Sequence, residues 1–142
     1  MQDLQRLLAI LEAGPAKTTE VFNPWRDIDE RDGTPRARMP GHRRGNLEAY
    51  IDARRLSARF MLMGEAPSHR GCRFSGIAFC SEVELTRKAD LVARRPLALT
   101  SRDAATKPQR ERSAAVIWDT RNAPPVPGGS FGVSIVVGEK TP

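Results

Sequence analysis

Residues 59–82 read RFMLMGEAPSHRGCRFSGIAFCSE and contain the sharpest change of character in the chain. An apolar run is followed at once by the tetrapeptide Gly-Glu-Ala-Pro, so that a carboxylate, Glu65, closes the run. The segment ARFMLMG, residues 58–64, is short, apolar at successive positions and ended by glycine, which predicts a strand buried on both faces. Such strands belong to parallel sheets that are covered by helices, so we expect an α/β fold.

Helix patterns flank this predicted strand on both sides. Leucines at the i, i+3, i+4, i+7 spacing predict an amphipathic helix at the N-terminus, and Ser81 and Glu84 have the spacing of a capping box. The stretches between the patterns lack a period and predict loops. Four helices are predicted. The first covers 3–13, the second begins near Asn46, and the third begins near residue 82. The fourth covers 111–120, where the run AVIW also fits a strand.

The composition bounds the class of protein. With 142 residues, 39% hydrophobic and 28% charged, the chain has the size and composition of one globular domain. No apolar run approaches the roughly 18 residues that a membrane helix needs, and the N-terminus is not a signal peptide, so we expect a cytoplasmic monomer without membrane contact. Two cysteines and two separated histidines cannot supply a disulfide framework or a four-thiolate site, so we expect no metal and no cofactor.

The positive charge is concentrated in one window. Residues 36–73 contain nine arginines and three acids, so this window alone accounts for the chain's net charge of +6. The planar guanidinium fork suits phosphate oxygens. A footprint for a polyanion, with nucleic acid as the commonest partner, explains this window. A solvated arginine-rich surface explains it equally well.

The carboxylate at the strand end is open to two interpretations. In an open α/β sheet, sites form beyond the carboxyl ends of strands, where Glu65 would position or deprotonate a water molecule. Gly71 and Gly76 would there allow the backbone to approach a ligand closely. Glu65 could equally accept backbone N–H bonds and hold its own loop. A phosphate-binding loop is disfavoured, because GEAPSHRG lacks the Gly-Lys-Ser/Thr that such a loop requires.

The stretch FMLMGEAPSHRGCRFSGIAFCSE resembles the first active-site motif of the uracil-DNA glycosylase superfamily. It is most similar to bacterial members that read Gly-Glu-Ala-Pro-Gly, then Arg-Gly, then Gly-hydrophobic-Pro-Phe-Thr-Ser-Glu. The likeness extends to FNPW, RRGNLEAYIDAR and ERSAAVIWDT, and covers most of residues 20–120. The resemblance implies a three-layer α/β/α fold around a short parallel sheet. It also implies hydrolysis of the N-glycosidic bond of a flipped-out deoxyuridine, in single- or double-stranded DNA, during base-excision repair.

The resemblance also implies roles for individual residues. Glu65 would position the attacking water and face the oxocarbenium-like sugar, whose positive charge a carboxylate stabilises. Phe79 would stack on the extruded uracil, the alternative being an ordinary core aromatic. The backbone of Gly64, Ala66 and Pro67 would line the base pocket. The residues expected near the DNA backbone are Arg43, Arg44, Arg70 and Arg73.

The chain departs from the pattern of that superfamily at two positions of the motif and in its later motifs. Ser68 stands where the family has a glycine, and Ala78 stands where it has the proline before the aromatic residue. In addition, the later motifs are not found: an asparagine that reads the uracil edge, and a histidine that stabilises the leaving anion. No residue after Asn122 is Asn or His. Loss of one such electrostatic donor typically costs about 100- to 1,000-fold in rate.

These departures shape the expected domain organisation. Residues 1–120 would form the N-terminal two-thirds of a glycosylase-like domain, whose sheet is incomplete at its C-terminal side. Residues 121–142 are rich in Pro and Gly and poor in charge, and we interpret them as an aberrant or disordered tail translated out of frame. The alternative function is a truncated, catalytically impaired fragment or pseudo-enzyme that at most binds DNA through an Arg-rich face.

Overall fold

The computed structural model describes residues 2–15, 18, 21–62, 68–118 and 130–133. None of the helices in these ranges is long and apolar enough to cross a lipid bilayer. The helices are α1 (Gln2–Ala13), α2 (Met39–Asp52), α3 (Cys72–Ser75), α4 (Glu82–Arg87), α5 (Ala89–Val92) and α6 (Arg112–Trp118), with a 3-10 turn at Arg36–Arg38. The strands are β1 (Ala58–Leu62) and β2 (Ser130–Val133).

The expectation of a three-layer α/β/α fold around a parallel sheet is wrong. The strand predicted after residue 57 does form, but within the described ranges β1 pairs in parallel with β2 alone, in a two-stranded ribbon. The reason lies in the supply of strands. A layered sheet is typically built from about four to six strands, and the described part of this chain contains two. The described residues between these two strands form short helices and loops instead.

Two helix predictions are confirmed and one start is wrong. The N-terminal amphipathic pattern forms α1, and the pattern near residue 112 forms α6 rather than a strand. Helix α2, however, begins at Met39 rather than near Asn46. Pro40 lies in the first turn of α2, where a missing N–H costs nothing because that group has no partner within the helix.

The side chain of Asn46 has a different task from the predicted cap. It lies in the middle of α2 and is buried. Its amide nitrogen donates to the Ser75 carbonyl at 2.9 Å and to the Ala98 carbonyl at 2.8 Å, while its oxygen accepts the Ala98 N–H at 2.8 Å. Asn46 therefore connects α2 to both α3 and the loop that follows α5.

The capping box predicted at the start of α4 is confirmed. The Ser81 side chain accepts from the backbone of Glu84, and the Ser81 N–H donates to the Glu84 carboxylate at 2.9 Å. The next residue, Glu82, is fully buried and accepts four hydrogen bonds. Its donors are the N–H groups of Thr100 and Ser101 at 2.8 Å, the Ser101 hydroxyl at 2.5 Å and the Gln109 N–H at 3.0 Å. One carboxylate thus fixes a long aperiodic loop against α4.

The apolar core consists of two clusters, and α2 contributes to both. Leu47 belongs to the first cluster, Tyr50 belongs to the second, and the half-buried Ile51 packs against each. In the second cluster the rings of Tyr50 and Trp118 meet edge to face, with centroids 6.4 Å apart. The first cluster contains Leu8, Trp25, Leu47 and Cys72, and the second contains Tyr50, Ile77, Cys80, Leu85, Val92, Ala114 and Trp118.

A buried arginine connects α2 to the loop before it. The side chain of Arg43 is 0% exposed and forms an ion pair with Asp32, with Nη1 and Oδ1 2.5 Å apart. Its Nε donates to the Pro24 carbonyl at 2.6 Å, and its Nη2 donates to the Asp27 carbonyl at 2.7 Å. Because buried charges and carbonyl groups are costly when unpaired, these bonds hold the segment 21–33 in one arrangement.

Of the tail at residues 121–142, the structure describes Ser130–Val133, which forms β2. The other residues of the tail lie outside the described ranges. The interpretation of this segment as an out-of-frame tail therefore stays a prediction, as does the division of the chain at residue 120.

We expect Arg43→Met to lower the free energy of unfolding by about 3–5 kcal/mol, because it leaves the Asp32 carboxylate buried without its partner. Arg44→Met is the matched control on the same helix. The Arg44 side chain is 43% exposed, and its ion pair with Glu12 is at the surface, so the loss should stay below about 1 kcal/mol. Urea denaturation followed by circular dichroism measures both values. Equal losses in the two variants would contradict the structural role of Arg43.

Candidate functional site

The Gly-Glu-Ala-Pro motif lies outside the described residues. Gly64, Glu65, Ala66 and Pro67 fall between the end of β1 at Leu62 and the point where the described chain resumes at residue 68. The catalytic role of Glu65 and the pocket-lining roles of its three neighbours therefore stay predictions. What the structure does describe is the turn, the helix and the arginines that follow this motif.

The two glycines after the motif both lie against other parts of the chain. A Cβ at Gly71 would overlap the Glu111 carboxylate and would lie 2.5 Å from the Ser68 hydroxyl. Gly76 ends α3 with φ of 77°, in the left-handed region, and a Cβ there would overlap the carbonyl of Arg43. The predicted close approach of backbone to a ligand is thus, at these positions, a close approach of one part of the chain to another.

Ser68, which departs from the glycine of the superfamily pattern, stabilises the turn before α3. Its hydroxyl accepts the Gly71 N–H at 2.7 Å, and its carbonyl accepts the Arg73 N–H at 3.2 Å. Serine side chains commonly form local turns of this kind. The substitution therefore contributes to the geometry of the turn.

Glu111 is a carboxylate beside this turn that sequence reasoning did not single out. Its Oε1 accepts a hydrogen bond from the Ser113 hydroxyl. Its Oε2 is buried against Gly71 and has no hydrogen-bond partner among the described residues. Buried polar atoms are nearly always paired, so this oxygen marks a polar position next to the candidate site. The one sequence signal was that Glu111 opens ERSAAVIWDT, one of the stretches that carry the resemblance.

Phe79 is held in an unusual backbone conformation. Its φ is 51°, which is uncommon for a residue other than glycine and typically costs about 1–3 kcal/mol. The Trp118 indole N–H donates to the Phe79 carbonyl at 2.8 Å, and the Ser75 hydroxyl donates to the Cys80 carbonyl at 2.6 Å. Ile77 and Cys80 are fully buried, whereas Phe79 is half-buried. The residues on either side thus fix the turn in the core and leave part of Phe79 exposed.

The four arginines expected at the DNA backbone lie in different environments. Arg43 is enclosed in the interior, as described above, and this placement is incompatible with a phosphate contact at the surface. Arg44 is partly exposed and pairs with Glu12. Arg70 is exposed, close in sequence to the predicted motif. Of these three, Arg70 is the most accessible to a phosphate.

Arg73, the fourth of these residues, is half-buried between a carboxylate and an aromatic ring. Its guanidinium pairs with Asp29, and its guanidinium carbon lies 3.9 Å from the centroid of the Phe22 ring. Both contacts hold the arginine in place, since cation–π contacts of this kind are worth about 0.5–2 kcal/mol. Arg73 therefore connects α3 to the segment 21–33.

The basic window at residues 36–73 is not one uniform positive face. Five of its nine arginines contact carboxylates, carbonyl groups or aromatic rings of the same chain, and three others are exposed. The arginines that contact groups of the same chain are Arg43, Arg44, Arg54, Arg55 and Arg73, and the exposed ones are Arg36, Arg38 and Arg70. Part of the charge that suggested a polyanion footprint thus has a structural use.

The carboxylate of Asp29 is the most clearly perturbed acid near Arg73. Burial favours its neutral form and would raise its pKa. The Arg31 side chain and N–H, together with the Arg73 guanidinium, stabilise the anion more strongly and lower the pKa to about 2 from an ordinary 3.8. Asp29 is therefore ionised over the whole physiological range.

The two cysteines, Cys72 and Cys80, are buried. Burial raises the pKa of the Cys72 thiol to about 12, with the Glu111 carboxylate adding to the effect. Burial also raises the pKa of the Cys80 thiol well above its usual value, with Glu84 adding to the effect. Both side chains are therefore neutral thiols that serve as small apolar residues in the core.

A scan against protein-family models finds no match to this chain, and searches of the curated proteins and of the solved structures find none either. In the described part of the chain, no group of three or more His, Cys, Asp or Glu side chains is arranged to hold a metal ion. The likeness to the glycosylase motif accordingly depends on the quoted residues alone.

We expect Asp29→Asn to flatten the dependence of stability on acid. Because the folded pKa of Asp29 lies below the ordinary value, its contribution to stability is present above about pH 4 and is lost as the pH falls towards about 2. The contribution that disappears should be about 2 kcal/mol. Urea denaturation of both proteins between these pH values measures it. Curves that fall in parallel would contradict the stabilisation of the Asp29 anion by Arg31 and Arg73.

Proposed function

We propose that this chain is a uracil-DNA glycosylase-like protein, which hydrolyses the N-glycosidic bond of a flipped-out deoxyuridine. The observation that carries the proposal is the turn that holds Phe79. Its position in the motif is the one that stacks on the base in the superfamily that the sequence resembles, and its backbone is strained at that position. The support is local, from the motif and this turn, and the overall fold does not enter it.

The strained turn suits a base-stacking role. Strain of this kind persists only where the surrounding structure enforces it, and it concentrates at functional sites. Here the buried indole of Trp118 and the buried hydroxyl of Ser75 hold the carbonyl groups of Phe79 and Cys80. A flipped base is typically held by an aromatic face, and a partly exposed phenyl ring on a fixed backbone provides such a face without ordering cost.

Glu65 supplies the chemistry in this proposal. Its carboxylate orients a water molecule towards C1′ of the sugar and accepts a proton as the water attacks. The C1′–N1 bond breaks, and its electron pair leaves with the uracil as the anion. Cleavage of the C1′–N1 bond runs ahead of the attack by water, so the sugar resembles an oxocarbenium ion, which a nearby carboxylate stabilises.

The proposed substrate is uracil-containing DNA, bound by a cytoplasmic monomer. The exposed Arg70 follows the motif by a few residues and is suited to a phosphate on the strand that carries the flipped base. A second candidate is a protein that binds DNA without releasing a base. The exposed arginines favour this alternative, together with the missing later motifs of the superfamily.

We expect the chain to release uracil from a single-stranded, uracil-containing oligonucleotide, and Glu65→Gln to reduce the rate at least about 100-fold. The amide keeps the shape of the side chain but removes the charge that faces the developing cation. The measurement is alkaline cleavage of a fluorescently labelled oligonucleotide at the abasic sites. Glu30→Gln, which removes an exposed carboxylate elsewhere in the chain, is the matched control and should leave the rate unchanged.

Two other results are informative. Equal rates for Glu65→Gln and the parent protein would show that the carboxylate is not catalytic. Salt-dependent DNA binding by the parent protein without any release of uracil would favour the second candidate.

We expect Phe79→Ala to lower kcat/KM for uracil release by about 5- to 150-fold, which corresponds to the roughly 1–3 kcal/mol that an aromatic ring contributes by stacking on a base. Phe79→Tyr keeps the aromatic face and should retain most of the activity. Circular dichroism establishes that both variants fold. If the alanine variant folds and turns over normally, Phe79 has no contact with the base.

A further inference from the structure

A shallow groove lies between the N-terminal half of α2 and the segment that follows α5. Its volume is about 510 Å³, and it is open to solvent along its length. Gly41 and Gly45 of α2 form part of one wall, and residues 95, 96 and 98 form part of the other. Phe79, Arg70 and Arg73 do not line this groove, so it is separate from the described part of the candidate site.

The two glycines leave the surface of α2 bare at this point. They are one helical turn apart, and a Cβ at either position would meet no atom within 4 Å. Alanine would therefore fit both positions, and it would stabilise the helix by about 0.5–1 kcal/mol at each. Packing within the described part of the chain gives no reason for glycine here, in contrast to Gly76.

The groove is preformed. Asn46 lies in its wall, and the two hydrogen bonds of its side chain to the backbone of Ala98, each 2.8 Å, hold α2 against the opposite wall. Because Asn46 is buried, these bonds are protected from competition with water. A ligand would therefore meet a fixed surface and would not need to order it.

The positive charge at the rim of the groove comes from Arg38 and from Arg95, whose guanidinium is paired with Glu48. Arg38 and His42 are exposed, and the Arg95 side chain is 54% exposed. Arg95 donates to the Gly45 carbonyl at 3.2 Å and pairs with Glu48 at 3.1 Å, which fixes its position on the rim. The lining in the described part of the chain contains no carboxylate and no Phe, Tyr or Trp side chain.

We propose that this groove binds the phosphodiester backbone of a single DNA strand. Its open form suits a chain that passes through it, and its positive rim suits phosphates. Bare glycines let a phosphate approach the helix closely. Because no Phe, Tyr or Trp ring lines the described wall, the bases would face solvent and the binding would be independent of sequence. That the polyanion is DNA rests on the function proposed above.

The test compares two substitutions at one position, Gly41→Glu and Gly41→Lys. Both place a long side chain in the open space of the groove, and they differ in charge by two units. Fluorescence anisotropy with a short, uracil-free oligothymidylate measures the dissociation constant as salt is varied. We expect Gly41→Glu to bind on the order of tenfold more weakly than Gly41→Lys at low salt. The slope of log K against log salt should be shallower for Gly41→Glu than for Gly41→Lys by about 1.4, or ~0.7 for each phosphate contact.

Arg87→Glu is the control for a general effect of charge, since Arg87 is exposed on α4 and does not line the groove. It should weaken binding far less than Gly41→Glu. Equal affinities of the two Gly41 variants at every salt concentration would overturn the proposal, and so would an equal effect of Arg87→Glu. Tighter binding of a duplex than of the single strand would overturn the assignment to one strand.

Failure of this proposal and failure of the proposed function give different results. The oligothymidylate contains no uracil, so the binding test does not depend on base release. If the protein releases uracil but its Gly41 variants bind with equal affinity, the proposed function stands and the groove proposal is overturned. If the Gly41 variants differ in affinity but the protein releases no uracil, the groove proposal stands and the enzymatic function is overturned.

Discussion

The guanidinium of Arg43 lies in the interior among one carboxylate and two carbonyl groups, and its bonds determine where the segment before α2 lies. That segment carries Trp25, whose indole bonds to the Gly76 carbonyl at 3.0 Å, and Asp29, which pairs with Arg73 of α3. Arg43 also contacts the end of α3 directly, because Gly76 packs on the Arg43 carbonyl. The position of the turn at Phe79 follows from these contacts.

In this fold polar side chains form hydrogen bonds with buried backbone groups, as neighbouring strands do in the sheet of an α/β protein. Loops without strands still contain backbone N–H and C=O groups that need partners when buried. Here Arg43 satisfies carbonyl groups, Glu82 satisfies N–H groups, and Asn46 satisfies both kinds. Arg43 contacts the segment before α2, whereas Asn46 and Glu82 both contact the segment between α5 and α6. The cost is that the core contains charges, which stabilise it only while every partner is in place.

Periodicity and capping rules predict the local structure correctly at α1, α4, α6 and β1, because those signals lie within a few adjacent residues. They fail for Asn46 and Arg43, because a helix cap and an interior bridge, or a surface cation and a buried one, have the same sequence pattern. The sheet was predicted wrongly because a strand buried on both faces does not reveal how many partners it has. In the candidate site, the resemblance pointed to Phe79, but its strained backbone and the Glu111 carboxylate depend on contacts distant in sequence.

The turn at residues 76–79 has a spectroscopic consequence. The chain contains two tryptophans, and their indole N–H groups bond to carbonyls at the two ends of this turn, Trp25 to Gly76 and Trp118 to Phe79. Both indoles are almost fully buried, and they belong to different clusters of the core. A rearrangement of these four residues would change the surroundings of both fluorophores at once. The intrinsic tryptophan emission of this protein is therefore a direct, label-free signal of one short turn.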